Sequence, residues 1–217
     1  MRNLRHLFDS IPTGCRWLLA FLTLLTITSS LLKSFLMTDL GDYLSLSGRD
    51  FWSGQVWRLL THSWFPAGIQ DLVLNGVLIA VVGAWVEARS TRWLFYGICL
   101  SGGVGSGVVK ILLQPHDPIG ILGIAPISFA LLAAWIKVCG HEDITLIVTG
   151  VTKVRTAGII FSLLSLVAAI FSCSPVNGLI TACAWPAAWM FISCHEWYLR
   201  GRPSQASRSD RINRLEL

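Results

Sequence analysis

Few side chains in this sequence have types and placements that could support chemistry, and those few lie near the ends of apolar segments. Asp71 and Glu87 bracket one apolar segment, and Ser128 lies near the start of another. A serine attacks a carbonyl only when a base takes its proton. No base is in register with Ser128, so we favour a hydrogen bond from its hydroxyl to its own helix. His195 and Glu196 are adjacent and point about 100° apart on a helix, which favours interfacial anchoring over an acid/base pair.

The composition indicates which elements must position these side chains. Of the 217 residues, 53% are apolar and 13% are charged, and the mean hydropathy is +0.62. A soluble domain carries about 25% charged residues, so this chain cannot cover a globular surface with solvated groups. The apolar content also excludes a disordered chain. We therefore predict an integral, multi-pass protein of the lipid bilayer, in a bacterial inner membrane or an organellar membrane.

Charge-free runs predict an all-α protein with six membrane helices, since a span needs about 20 apolar residues and about 17 suffice with polar flanks. Continuous runs disfavour a β-barrel, whose strands alternate. A turn predicted over residues 174–178 divides the last apolar stretch into two spans. Residues 144–148 are predicted to be a loop at the interface. The first four runs cover residues 17–32, 72–86, 93–109 and 118–135.

The distribution of Lys and Arg predicts the orientation of the bundle. Of the 17 basic residues, 13 fall on the side that holds both termini and 4 on the other side. Basic residues collect on the inner side of membranes, so both termini are expected inside. The predicted domains are an inner N-terminal tail (1–16), the membrane domain (17–199) and a basic C-terminal tail (200–217). The net charge of +5 is thus a topology signal, and no nucleic-acid partner is predicted.

The sequence predicts neither a metal nor a cofactor. The six cysteines include no C-x-x-C pair, which disfavours a structural zinc site. The glycines between positions 102 and 107 lie inside an apolar run with no preceding strand, so they do not indicate nucleotide binding. Gly103 and Gly107 have the spacing that permits close helix packing. We favour packing within the chain over dimerisation.

Short motifs occur in a consistent order along the spans. A Trp-Arg pair lies in the long outer loop between the first two spans, and Asp71 and Asn75 open the second span. A glycine and a glutamate close that span, and the sequence Gly-Ile-Ala-Pro opens the fourth, followed by a phenylalanine. This order resembles the rhomboid family of intramembrane serine proteases. The positions that match the family are Trp57, Arg58, Asn75, Gly83, Glu87, Gly123 and Phe129.

The departures from the family pattern bear on its chemistry. The resemblance places the nucleophile at Ala125, and Pro126 replaces the second glycine of the Gly-x-Ser-Gly motif. The oxyanion-side histidine falls on Asp71, which is expected to face the outer cavity together with Pro126 and Ser128. The histidine base falls on Ile180 or Ala188, depending on how the sixth span is aligned. Without a hydroxyl and a base, oxyanion stabilisation alone gives little covalent catalysis.

The resemblance therefore implies a six-helix rhomboid-like scaffold without the catalytic dyad. The predicted function is the binding of transmembrane segments, or a role as a subunit or adaptor of a membrane complex. Two alternatives stay open: an active intramembrane serine protease with relocated residues, and a small transporter. Glu87 is expected to be structural because Arg89 and Arg92 lie near it.

Overall fold

The computed structural model describes residues 12–36, 40–146, 150–172 and 175–200. The predicted C-terminal tail lies almost wholly outside this part of the chain, as do residues 1–11 of the predicted N-terminal tail. Within it the chain is mainly helical. The helices are α1 (Thr13–Leu36), α2 (Leu40–Leu44), α3 (Gly48–Trp52), α4 (Arg58–Thr61), α5 (Ile69–Leu78), α6 (Ala84–Ala88), α7 (Arg92–Leu113), α8 (Ala125–Cys139), α9 (Val154–Ser172), α10 (Pro175–Ala182) and α11 (Ala184–Arg200).

Five helices in the described residues are long and apolar enough to cross a membrane. They are α1, the continuous helix α5–α6, α7, α9 and the continuous helix α10–α11. Helices α5 and α6 are joined by a π-helical segment, Ile79–Gly83. A sixth apolar helix, α8, has only 15 residues. The membrane character predicted from composition is thereby confirmed.

Helix α8 is the centre of the bundle. Twelve of its 15 residues are buried, and α7, α9 and α11 pack around it. A helix that is apolar on every side lies either in a protein core or in lipid, and α8 lies in the protein core. The predicted fourth span over residues 118–135 is wrong at its start, because α8 begins only at Ala125. The preceding residues include Pro115, Pro118 and Gly123, which disfavour helix.

Two further predictions are wrong in detail. Residues 143–153 contain strands β1 (Asp143–Leu146) and β2 (Gly150–Lys153), which pair antiparallel, where a loop was predicted over residues 144–148. Residues 147–149 lie outside the described residues. In the predicted turn over 174–178, residues 175–178 are instead the start of α10. Proline is favoured at the first position of a helix, so Pro175 begins a helix there.

The long apolar segment formed by α10 and α11 is interrupted at Cys183, which belongs to neither helix. Pro186 explains the break. A proline in a helix has no N–H to donate to the carbonyl four residues earlier, and its ring collides with that carbonyl, here that of Ala182.

Glycines on α7 allow the helices to approach closely. A Cβ atom on Gly102 would lie 2.5 Å from the Cβ of Ala130 on α8, and one on Gly105 would lie 2.3 Å from the Cβ of Ala187 on α11. Gly103 and Gly107 face the segment before α5, where Ser63 and Leu59 are in contact range. The glycines thus pack within the chain.

The two ends of the bundle are held by different polar contacts. At one end, which we call the loop face, residues 40–68 meet residues 114–124: Leu46 and Ile121 exchange two backbone hydrogen bonds of 2.9 Å. At the opposite face, Arg89 pairs with Glu142, and Lys137 lies 3.7 Å from Glu196. Glu196, for which interfacial anchoring was favoured over an acid/base role, is therefore an ion-pair partner of Lys137 on α8.

Glu87 caps the beginning of α1 at the opposite face. Its Oε1 accepts from the N–H of Gly14 at 2.8 Å, and its Oε2 accepts from the N–H of Cys15 at 2.6 Å. The first N–H groups of a helix have no partner within the helix, and they favour a negative charge. Glu87, 6% exposed, therefore joins the second apolar helix to the start of the first.

We expect Gly14→Ala to destabilise the protein by about 1–3 kcal/mol, as overpacking does. A Cβ at Gly14 would lie 2.6 Å from Glu87 Oε1, so the carboxylate must leave its two donors. Thermal unfolding in detergent, followed by tryptophan fluorescence, measures the loss. The control is Gly76→Ala, whose added Cβ would meet only Leu72 Cδ1 at 3.8 Å. Equal Tm values for the two variants would contradict the capping role.

Candidate functional site

A cavity of about 650 Å³ lies at the loop face, above the beginning of α8. Its walls come from α5 on one side and α9 on another, and the start of α8 contributes to its lining. Most of the lining side chains are apolar. The residues used below are His62, Ala67, Asp71, Leu74, Asn75, Gly123, Ala125, Pro126, Phe129, Leu164, Ala168 and Thr181.

Asp71 is held in the cavity wall by three hydrogen bonds. Its Oδ2 accepts from the backbone N–H of Ala67 at 3.0 Å and from that of Ile124 at 3.0 Å. Its Oδ1 accepts from the Nδ2 of Asn75 at 2.7 Å. These donors come from the loop before α5, from the residue before α8 and from α5 itself. Among the described residues that line the cavity, Asp71 is the only one with a formal charge.

Gly123 permits this arrangement. Its φ of +140° is a conformation that other residues rarely adopt, and a Cβ there would lie 3.1 Å from Asp71 Oδ2. Its N–H donates to the carbonyl of His62 at 3.0 Å. The segment that leads into α8 is therefore tied to both the loop and α5.

The remaining predicted cavity residues lie at the start of α8. Ala125, Pro126 and Phe129 all line the cavity. Ser128 does not: its side chain is 1% exposed, and its hydroxyl has no hydrogen-bond partner in the described part of the chain. The structure thus brings Asp71, Asn75, Gly123 and Ala125 together and leaves Ser128 in the core. The predicted hydrogen bond from Ser128 to its helix is not formed.

The two positions predicted for the histidine base lie in different clusters of buried side chains. Ile180 is on α10 and packs in a cluster with Leu46 and Ile121, next to the segment that leads to Ala125. Ala188 is on α11, eight residues further along, and is buried in the main core with Leu131. A neighbour of Ile180, Thr181, lines the cavity. Ala188 shares its cluster with Ile124 and Ile127, which lie on either side of Ala125 and Pro126, so both positions lie near the start of α8.

Arg58 organises the loop face. Its Nη1 donates to the carbonyls of Asp42 at 2.7 Å and Ser45 at 2.6 Å, its Nε donates to Gln55 at 2.7 Å, and Asp50 lies 3.5 Å away. Trp57, by contrast, is 53% exposed. Of the Trp-Arg pair, it is thus the Arg58 side chain that supports the loop beside the cavity.

A buried lysine completes the loop face, and its partners were not evident from the sequence. Lys110 is 0% exposed. Its Nζ donates to Asp117 at 2.7 Å and to Asn177 at 3.3 Å, and it also donates to Gln114. The contact joins the end of α7 to the following loop and to α10. Four residues separated by up to 67 positions form it, and local patterns do not reveal such a cluster.

His62 and Ser106 form a buried pair that sequence patterns also did not indicate. His62 Nε2 lies 3.5 Å from Ser106 Oγ, and His62 Nδ1 lies 3.1 Å from the carbonyl of Arg58. Burial lowers the pKa of His62 to about 4, because the charged ring loses its water. The Ser106 hydroxyl donates to the carbonyl of Gly103 at 2.9 Å.

No group of three His, Cys, Asp or Glu side chains in the described part of the chain is arranged to hold a metal ion.

The fold and this site define a class of protein: a multi-pass helical membrane protein whose short, enclosed central helix begins at a cavity. Comparison with known families agrees. The family model for the Rhomboid domain matches residues 53–192, which is more than half of the chain, and the chain therefore belongs to the rhomboid family. No curated protein matches it.

We expect the stability of the protein to fall from pH 6.5 to pH 5 through His62. In this range the unfolded chain takes up a proton at this histidine, whereas the folded chain, with a pKa of about 4, does not. The slope from one such group is at most about 1.4 kcal/mol per pH unit. Thermal unfolding at several pH values measures it.

His62→Gln should flatten this slope. The control is His116→Gln, because that histidine is exposed in the loop after α7. A slope in His62→Gln as steep as in the wild type would show that the buried ring is not the source.

Proposed function

We propose that this rhomboid-family protein is not a protease, and that it binds transmembrane segments of other membrane proteins in its cavity. It would act as an adaptor or subunit of a membrane complex in the bilayer. Six helices, including the short α8, would cross the membrane, with both termini inside. The observation that carries the proposal is the cavity itself: it is apolar, it reaches the start of α8, and alanine stands where the family has its serine.

The catalytic positions support the first part of this proposal. Ala125 lines the cavity but has no hydroxyl, and neither Ile180 nor Ala188, the two positions matched to the histidine, carries a base. Acyl transfer needs a nucleophile and a group that takes its proton, and neither is provided at these positions.

The cavity walls support the second part. The α5 side offers Leu74, 61% exposed, and the α9 side offers Leu164, 62% exposed, with the small Ala168 near it. A helix that enters a bilayer protein packs through van der Waals contacts, and small residues let it approach closely. A cavity of this chemistry suits an apolar helical segment better than a polar solute.

We expect a photo-crosslinking residue at Leu74 to capture membrane proteins, because Leu74 lines the cavity. The matched control is Leu112 on α7, which is 69% exposed but lies outside the cavity lining. Crosslinks are made in native membranes and identified by mass spectrometry. Discrete adducts of proteins with membrane helices at Leu74, and none at Leu112, are the expected result.

Equal adduct patterns at the two positions would contradict a client site in the cavity, because they would show that any exposed apolar side chain of the bundle gives the same adducts. A further control is the substitution Ala168→Trp on α9. It fills the cavity from the opposite wall and should weaken the Leu74 adducts at least several-fold.

One observation favours the alternative of a protease with relocated residues, namely the distance of 3.5 Å between His62 Nε2 and Ser106 Oγ. Both side chains are buried, however, with 1% of His62 and 0% of Ser106 exposed. A substrate carbonyl cannot reach such a hydroxyl without local opening. The binding function is therefore preferred.

We expect a serine-reactive fluorophosphonate probe to leave the wild-type protein unlabelled. Labelling is read on a gel against an active rhomboid protease treated in parallel. Covalent labelling that is lost in Ser106→Ala or in Ser128→Ala would overturn the non-catalytic assignment and identify the nucleophile.

A further inference from the structure

We propose that the carboxylate of Asp71 fills an anion-binding cradle that would otherwise face the cavity, and so bars a peptide carbonyl from that place. The inference rests on the proposed function in one respect: it takes the cradle to be the place where the carbonyl of a substrate peptide would lie. The cradle itself is defined by its three donors: the N–H of Ala67, the N–H of Ile124 and the amide of Asn75.

The location of the donors carries the first step. The N–H of Ile124 immediately precedes Ala125, the position matched to the nucleophile, and Asn75 is a matched family position on α5. Donors placed here would stabilise negative charge that develops on a carbonyl oxygen beside residue 125. In this chain they converge on one carboxylate at 2.7 to 3.0 Å.

The shape of the cradle carries the second step. Gly123 has no Cβ, and one built there would stand 3.1 Å from Asp71 Oδ2 and 3.7 Å from the Cβ of Ala67. A Cβ at this corner would crowd Oδ2, and the carboxylate would have to move by a few tenths of an ångström. Hydrogen bonds to an ionised acceptor are about twice as strong as those between neutral groups, so a carbonyl cannot displace Asp71. Clients are therefore held by side-chain packing and not through their backbone.

Removing the carboxylate should leave an empty cradle that binds a small carboxylate from solution. Asp71→Ala lacks the carboxylate alone, which formate matches in size. Asp71→Gly lacks one carbon more, which acetate matches. The two variants therefore predict opposite preferences, formate for the first and acetate for the second.

The experiment is thermal unfolding of the purified full chain in detergent, with formate or acetate titrated against sodium chloride of equal ionic strength. At ten times the dissociation constant, each variant should gain about 3–6 °C in Tm with its matched anion. The wild type should gain nothing beyond the chloride effect, and neither should Gln70→Ala, which alters the next residue in the cavity lining. Gains that are equal for both anions, or no larger than in the wild type, overturn the proposal.

A second measurement needs no substitution, so it applies even where the variants do not fold. The Ala67 and Ile124 amides lie outside helices and strands but donate to Asp71. In hydrogen–deuterium exchange of the wild type, both should exchange at least tenfold more slowly than an unstructured peptide. Exchange at the unstructured rate would show that the cradle is not held closed. Neither measurement depends on client binding, so failure here leaves the crosslinking result standing.

Discussion

The enclosure of α8 is the constraint on which the rest of the structure depends. A helix of 15 residues is about 22 Å long, shorter than the roughly 30 Å of a hydrocarbon core. As the sixth membrane helix proposed above, α8 would leave part of the bilayer to be crossed by the chain that enters it, and that chain would lie below one surface. Backbone at that depth is tolerated only where protein satisfies its polar groups or where it lines a cavity. Both conditions are met here. The segment before α8 lines the cavity at the loop face, and hydrogen bonds from neighbouring protein groups satisfy its backbone.

The segment before α8 shows how its backbone is satisfied. Ile121 bonds to Leu46, Gly123 donates to the carbonyl of His62, and Ile124 donates to Asp71. Each partner belongs to the stretch between α1 and the first turn of α5. That stretch is held in turn by Arg58, whose guanidinium binds two of its carbonyls. The long loop thus provides the hydrogen bonds that a short central helix requires, and the cavity residues are positioned as a consequence.

The sequence predicted the membrane class, the apolar helices and the family because these depend on composition and on local motifs. The long charge-free runs over residues 17–32 and 93–109 lie in α1 and α7, which are long and apolar enough to cross a membrane. The start of α8 was missed because Pro118 to Ile124 is apolar enough to resemble a span, although its one proline and two glycines disfavour helix. Hydropathy reports where a chain avoids water and does not report where the helix begins.

The long-range polar contacts could not be predicted for a related reason. Glu87 was expected to be structural because Arg89 and Arg92 lie near it, but the groups that it caps, the N–H groups of Gly14 and Cys15, are more than 70 positions away. Lys110 has partners as far as Asn177. In a membrane bundle these residues are placed by the alternation of helices between two faces, which brings together segments that are distant in the chain. A charge near a span end therefore indicates that a partner exists without indicating which residue it is.

The site combines a retained scaffold with polar groups that satisfy one another. In the absence of substrate, the donors of an oxyanion cradle have no protein acceptor. A buried donor left without a hydrogen-bond partner costs free energy. In this chain the donors are paired within the protein, and the Gly123 backbone that makes room for the pairing also donates to His62. The start of α8 is thus held in place without help from a substrate. Because these polar groups are already paired, the apolar walls on α5 and α9 are the part of the cavity that would contact a partner helix under the proposed binding function.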